Sequence, residues 1–217
     1  MIHLLNIANS MTGSANATGS SGGGDSDATW NSLDKTASIT LSNGNLTAFA
    51  NTTTFEGVRA TANALNTATG GKFYWEMNVD ALTANTDIYV GVRSSSTAMT
   101  SGVDILSTAN HAAWRGNAFY FVNGWTAGSA PTTIAAGNRL MFALDIDNRR
   151  LWVGKNGTWN NSGNPASGTN PSFSNMPLAV NSAPFIHTDN VTGSVQVTLV
   201  PSSGDFLHTI PSGFTLL

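Results

Sequence analysis

Cysteine is absent from the 217 residues, so no disulfide framework, zinc–thiolate site or thiol nucleophile can form. Charge is scarce: Asp, Glu, Lys and Arg make up 10% of the chain, against roughly 25% in an ordinary soluble domain. Nine Lys and Arg against twelve Asp and Glu give a net charge of −3, with no basic block. A nucleic-acid binder that works by neutralising phosphates is therefore excluded. The opening Met1-Ile2-His3-Leu4-Leu5-Asn6-Ile7 has no basic flank and stops within a few residues. It is too short for a signal peptide and far too short to cross a bilayer, so neither the usual secretory route nor membrane insertion is expected. No stretch carries a helical apolar stripe, which excludes a helix bundle.

Neutral polar residues take the place of the missing charge. Asn (24), Ser (23), Thr (27) and Gly (22) fill nearly half of the chain, a composition that favours strands and turns over helices. The hydrophobic share of 41% is still ample for a core. Residues 9–27, NSMTGSANATGSSGGGDSD, hold almost no apolar group and read as linker. The chain thus divides into an extended N-terminal arm, residues 1–29, and a domain over residues 30–217. The arm is read as a docking element, with Ile2, Leu4, Leu5 and Ile7 as its apolar grip on a neighbouring subunit.

Period-two alternation marks the strands of the domain. In residues 72–80, Phe73, Trp75, Met77 and Val79 share one face, and Lys72, Tyr74, Glu76, Asn78 and Asp80 the other. Residues 139–147 repeat the pattern with Leu140, Phe142, Leu144 and Ile146 inward. Shorter runs place Ile39 and Leu41, then Ile88, Val90 and Val92, then Val195, Val197 and Leu199, on buried faces. Asn43-Gly44, Asn123-Gly124 and Asn156-Gly157 end apolar runs where a tight hairpin turn can close. Short strands and strong turns predict an all-β fold, an antiparallel two-sheet β-sandwich with one face of each sheet buried.

Three segments in this order, GKFYWEMNV (residues 71–79), DIYVGV (87–92) and GNRLMFALDIDNRRLWVGKNGTW (137–159), resemble the SPRY domain. GSVQVTLV (193–200) and IPSGF (210–214) fit its last strand and tail. The opening WNSLDKTASITLSNGNLTA (30–48), with VRAT (58–61), is similar to the variety found in tailed-bacteriophage and prophage proteins. The resemblance covers residues 30–214 and implies a bent sandwich of the concanavalin-like jelly-roll kind, used for binding without catalysis. In animal proteins the rim loops of this domain bind peptides, and in phages the domain occurs in virion proteins.

Catalytic constellations are few. His3, His111, His187 and His208 lack metal-ligand spacing and are expected to be ordinary surface or partly packed residues. GSSGG at residues 19–23 matches a nucleophile elbow formally but lies in linker. Asp145 and Asp147 share a strand face, yet the Asn148-Arg149-Arg150 that follows does not continue a calcium loop, and a hydrogen-bonded turn is the better reading. Trp30 and Trp75 are assigned to the core, and Trp152, of opposite parity to Leu151 and Val153, to the far side of its sheet. Trp114, Trp125 and Trp159 stand in or beside Gly- and Asn-rich stretches, where an indole can lid the core, stack on a sugar or anchor a protein. Trp114, Arg115, Trp125, Trp159 and Asn160 are therefore the candidate rim residues.

These readings lead to a non-enzymatic virion protein, a capsid decoration or tail appendage, that displays a SPRY-like binding domain anchored by its arm. The expected partners are capsid or tail subunits in a multi-copy assembly formed in the host cytoplasm, and a host-surface glycan or protein. No cofactor, metal or nucleic acid is expected. The rival reading is a carbohydrate-binding host-adhesion module.

Overall fold

The computed structural model describes residues 28–61, 65, 67–84, 88–178, 181–188, 193–200 and 202–217. Ile2, Leu4, Leu5 and Ile7 of the expected docking arm lie outside the described residues, as do His3 and the 19–23 stretch. Ala28 is already buried. Thr29 exchanges hydrogen bonds with Thr61 (2.7 and 3.0 Å). The sandwich thus includes the last two residues assigned to the arm.

Two antiparallel sheets form. The first contains β1 (Trp30–Lys35), β4 (Glu56–Ala60), β6 (Ile88–Ser94), β7 (His111–Arg115), β8 (Phe119–Val122), β9 (Trp125–Ser129) and β13 (Ser182–Thr188), in the order β1-β4-β13-β6-β7-β8-β9. The second contains β2 (Thr40–Ser42), β3 (Thr47–Ala50), β5 (Lys72–Leu82), β10 (Arg139–Asp145), β11 (Arg150–Lys155), β12 (Thr158–Trp159) and β14 (Val195–Val200), in the order β12-β11-β10-β5-β14-β3-β2. β15 (Thr215–Leu216) joins β5 in parallel beside Phe73 and Tyr74.

Asn-Gly pairs close two of the hairpins as the sequence predicts. Val122 pairs with Trp125 across Asn123-Gly124, and Lys155 with Thr158 across Asn156-Gly157. Each Asn and Gly has positive φ (51° and 80°; 50° and 83°), the left-handed pair that a two-residue hairpin of this twist requires. The predicted inward faces meet in one core. Trp75, Met77, Val79, Leu140, Phe142, Leu144, Val195 and Val197 come from the second sheet, and Val58, Val90, Val92, Trp114 and Ile186 from the first. Trp75 and Phe142, paired in register, stack with centroids 5.1 Å apart and planes 3° from parallel.

The expectation of a single buried face per sheet is corrected. On the outside of the second sheet, Tyr74, Met141, Ala143 and Trp152 are buried under Phe214, with Trp159, Phe206 and Ile210 packed around them. A buried carboxylate anchors this cover. Glu76 accepts hydrogen bonds from Tyr74 Oη (2.6 Å) and from the backbone N–H groups of Leu207 (3.1 Å) and His208 (3.0 Å). Trp152 donates Nε1–H to the Thr169 carbonyl at 2.7 Å. On the outside of the first sheet, Ile105 and Leu106 cover Tyr89, Ala113, Phe121 and Phe185. Asp145 and Asp147 belong to a turn, as read: Asp145 accepts from the backbone and side-chain N–H groups of Asn148 (3.0 and 2.9 Å) and pairs with Lys72 at 3.3 Å.

Candidate functional site

The five candidate rim residues do not form one surface. Trp114 is not in a loop but in β7, fully buried on the inner face. The sequence hid this because His111-Ala112-Ala113-Trp114 offers no branched alternation. Arg115, also in β7, is half-buried with its guanidinium over the Tyr89 ring, 5.1 Å from the centroid. Asn160 is buried and spans the two sheets: its Nδ2 donates to Tyr120 Oη (2.9 Å) and its Oδ1 accepts from the Thr132 hydroxyl (3.1 Å). Trp159 is half-buried, edge-on to Tyr74 at 6.3 Å. Burial removes Trp114 and Asn160 from any recognition surface. Trp125 alone of the six tryptophans stands mostly in solvent, 79% exposed.

Trp125 opens β9, the free edge of the first sheet, and its hairpin is fixed from below. His111 Nε2 accepts the Gly124 N–H at 3.2 Å, and Asn123 Oδ1 accepts the Asn110 N–H at 2.6 Å. Residues 116–138 contain no charged side chain, and Phe119 at the start of β8 is also exposed. Proteins usually blunt a sheet edge with charge, shortness or a bulge. β1 carries Asp34, Lys35 and a register shift, while β2 and β12 are only three and two residues long. β9 has five residues and one register shift but no charge. It is the sandwich edge best suited to contact.

Polar groups that sequence reasoning missed lie under the first sheet. His111 and His187, expected at or near the surface, are buried, and Arg93 is paired in register with His111. Burial first, and Arg93 next, hold His111 down at about 4. Burial holds His187 at about 4 as well, against the hydrogen bond between its Nε2 and the Val103 carbonyl (3.1 Å), with Arg93 and His111 adding to the depression. Arg93 is lowered to about 10 by burial and by Arg59. Burial raises the Glu56 carboxyl, but hydroxyls of Thr36, Ser101, Thr54 and Ser38 bring it below its ordinary value. Arg93 Nε and His187 Nδ1 are buried and find no hydrogen-bond partner among the described residues, so this interior is only partly satisfied.

At the opposite edge of the same sheet lies a polar cleft of about 360 Å³, lined by Asn31, Asp34, Arg59, Thr61, Ser95 and Asn181 among others. Arg59 is its fixed element. The guanidinium, itself buried, donates to both Asp34 carboxylate oxygens and to the carbonyls of Ser94 and Thr97.

The architecture is similar to solved SPRY domains. The SPRY domain of human HERC1 superposes with a TM-score of 0.58 at 15% identity, covering 79% of this chain and 97% of that one. The TRIM65 PSpry domain gives 0.54 at 11% identity, over 80% of this chain and 88% of that one. Stonustoxin gives 0.55 at 15% identity, over 80% of this chain and 27% of the toxin. No protein-family model matches the chain, and no curated protein matches it. The fold is SPRY-like, as the sequence motifs imply.

Proposed function

We propose that this chain is a non-enzymatic binding module whose contact surface is the β8–β9 edge, with Trp125 as its anchor and a protein as its partner. The observation that carries the reading is an indole left 79% exposed on a charge-free edge strand in a protein that buries or half-buries its other five. An aromatic ring of this kind gives large contact area at small rotamer cost, and unpaired edge amides offer a partner strand its hydrogen bonds. The likeness in fold to the SPRY domain of HERC1 and the PSpry domain of TRIM65 supports the module reading. Carboxylates do not favour a hydrolase: Asp145 is held within its turn and by Lys72, and Glu76 by the chain it anchors.

The fuller form of the proposal makes the partner a capsid or tail subunit and the protein a multi-copy virion component that works without a cofactor. Its support is the phage-like opening at residues 30–48 and the linker composition of residues 9–27. A chain shortened to begin at Asp27 should then melt like the full one and fail to join particles. Unfolding of the shortened chain would sink the docking role of the arm.

Two alanine variants test the contact surface. Trp125→Ala should leave the melting temperature within about 2 °C of the parent, because an exposed side chain contributes little to folding. It should weaken attachment at least tenfold, as loss of an anchoring aromatic does. Trp114→Ala should do the reverse, costing about 3–5 kcal/mol of stability through a core cavity, with attachment per folded molecule unchanged. Equal attachment by Trp125→Ala and parent would remove the β8–β9 edge from the proposal.

A further inference from the structure

We propose that the Asp34–Arg59 cleft binds a neutral sugar through its hydroxyl groups, a second site on the sheet edge opposite Trp125. The cleft arises from a mismatch between two strands. Trp30 pairs with Ala60 and Lys35 with Val58, so the intervening residues of β1 arch away from β4 and leave a gap at the margin of the sheet. Leu33, at the arch, is 94% exposed. Arg59 keeps the gap from collapsing. Its hydrogen bonds tie the arch, through Asp34, to the carbonyls of Ser94 and Thr97. Ser95 N–H in turn donates to the Asn181 carbonyl at 2.8 Å, fixing the remaining wall. The site is thus shaped before any ligand arrives, which removes much of the ordering cost of binding. Its volume lies within the range of roughly 300–1,000 Å³ usual for small-molecule sites.

The lining chemistry selects the ligand. Asp34 and Arg59 cancel each other's charge, and four of the five Arg59 N–H donors are engaged, so the cleft presents no unpaired cation to a phosphate or an acidic sugar. The Asp34 side chain remains 26% exposed, and each of its oxygens keeps a lone pair for a further donor. Asn31 Oδ1 is occupied by the Leu33 N–H at 2.9 Å, which leaves the two Nδ2 donors for a ligand. Thr61 Oγ1 accepts from Thr29 N–H at 3.0 Å and can still donate its own proton. Acceptors and donors therefore alternate within a few ångströms, the arrangement that hydroxyls able to both donate and accept satisfy best. A peptide would look for pockets to seat its side chains, and among the described residues the apolar lining is limited to Ala60 and Ala183. Among the described residues no aromatic ring lines the cleft to stack on a sugar face, so single-site affinity is millimolar, and useful avidity rests on the many-copy display proposed above.

The test is an amide-resolved NMR titration of the full chain with the methyl glycosides of glucose, galactose, mannose and N-acetylglucosamine, taken to tens of millimolar. At least one should give saturable shifts at Ala60, Thr61, Ser95 and Asn181. Asn31→Ala should weaken that binding about tenfold, and Ser95→Trp, an exposed position whose indole fills the cleft, should abolish it with the melting temperature unchanged. Trp125→Ala should leave the titration as it is, so this claim and the contact-surface claim fail separately. Absence of shifts with all four sugars overturns the proposal, as do shifts that survive Ser95→Trp. A blocked Asn-Ser-Thr peptide that shifts these amides where the sugars do not would assign the cleft to peptide instead and overturn it equally.

Discussion

Phe142→Asp is expected to unfold the domain. Phe142 is fully buried in β10, opposite Trp75 on β5 and Val153 on β11, and its ring stacks on the Trp75 indole. The substitution removes an aromatic ring from the centre of the core, worth about 3–5 kcal/mol. It also puts a carboxylate into an apolar core with no cation beside it to pair with, a further cost of several kcal/mol. The sum rivals the whole stability of a typical domain, roughly 5–15 kcal/mol. Circular dichroism and the soluble fraction on expression read the outcome. A variant melting within a degree or two of the parent would mean that the inward face of β10 has been misassigned.

Acid should destabilise the protein well above the range in which carboxylates protonate. His111 and His187 are held at about 4, whereas in the unfolded chain they titrate near the ordinary 6.5. Between those values the unfolded chain binds two protons that the folded one refuses, so stability is full above about 6.5 and falls as the pH drops towards 4. Each histidine contributes about 3 kcal/mol of this loss. The geometry agrees with the direction, since His111 Nε2 accepts the Gly124 N–H and a protonated ring could not. Glu56 and Asp145, whose carboxyls lie below their ordinary values, add to the loss at the acid end of the range. Melting temperatures from pH 7.5 to 4.0 should fall by 10 °C or more, at about 2–4 °C per kcal/mol for a chain of this size. The His111→Gln, His187→Gln double variant should be nearly flat down to pH 5. An equal slope in parent and double variant would place the acid sensitivity elsewhere.

The sequence was legible where a single strand contained its own signal. Alternation in β5 and β10 assigned Trp75, Met77, Leu140 and Phe142 inward, because period two is a property of the strand alone. The Asn-Gly pairs announced two hairpins for the same local reason, and the one at Asn123-Gly124 left Trp125 outside. Reading failed where burial depends on segments distant in sequence. Nothing near Tyr74 or Glu76 foretells that residues 206–214 will lie across them. The alanines of β7 gave no period, so Trp114 read as loop. Asp34 and Arg59 are 25 residues apart, and the cleft they floor draws on four separate segments rich in the Asn, Ser and Thr that fill the whole chain. In such a background, the residues that matter cannot be told by type.

Residue-resolved oxidative footprinting of Trp125 tests the central claim most directly. In the free protein this indole should react with hydroxyl radicals far faster than the buried Trp30, Trp75, Trp114 and Trp152. In the assembled particle, or in complex with an isolated partner, its oxidation rate should fall at least several-fold while the buried four stay unchanged. A Trp125 rate equal in free and assembled protein would contradict the assignment of the β8–β9 edge as the contact surface.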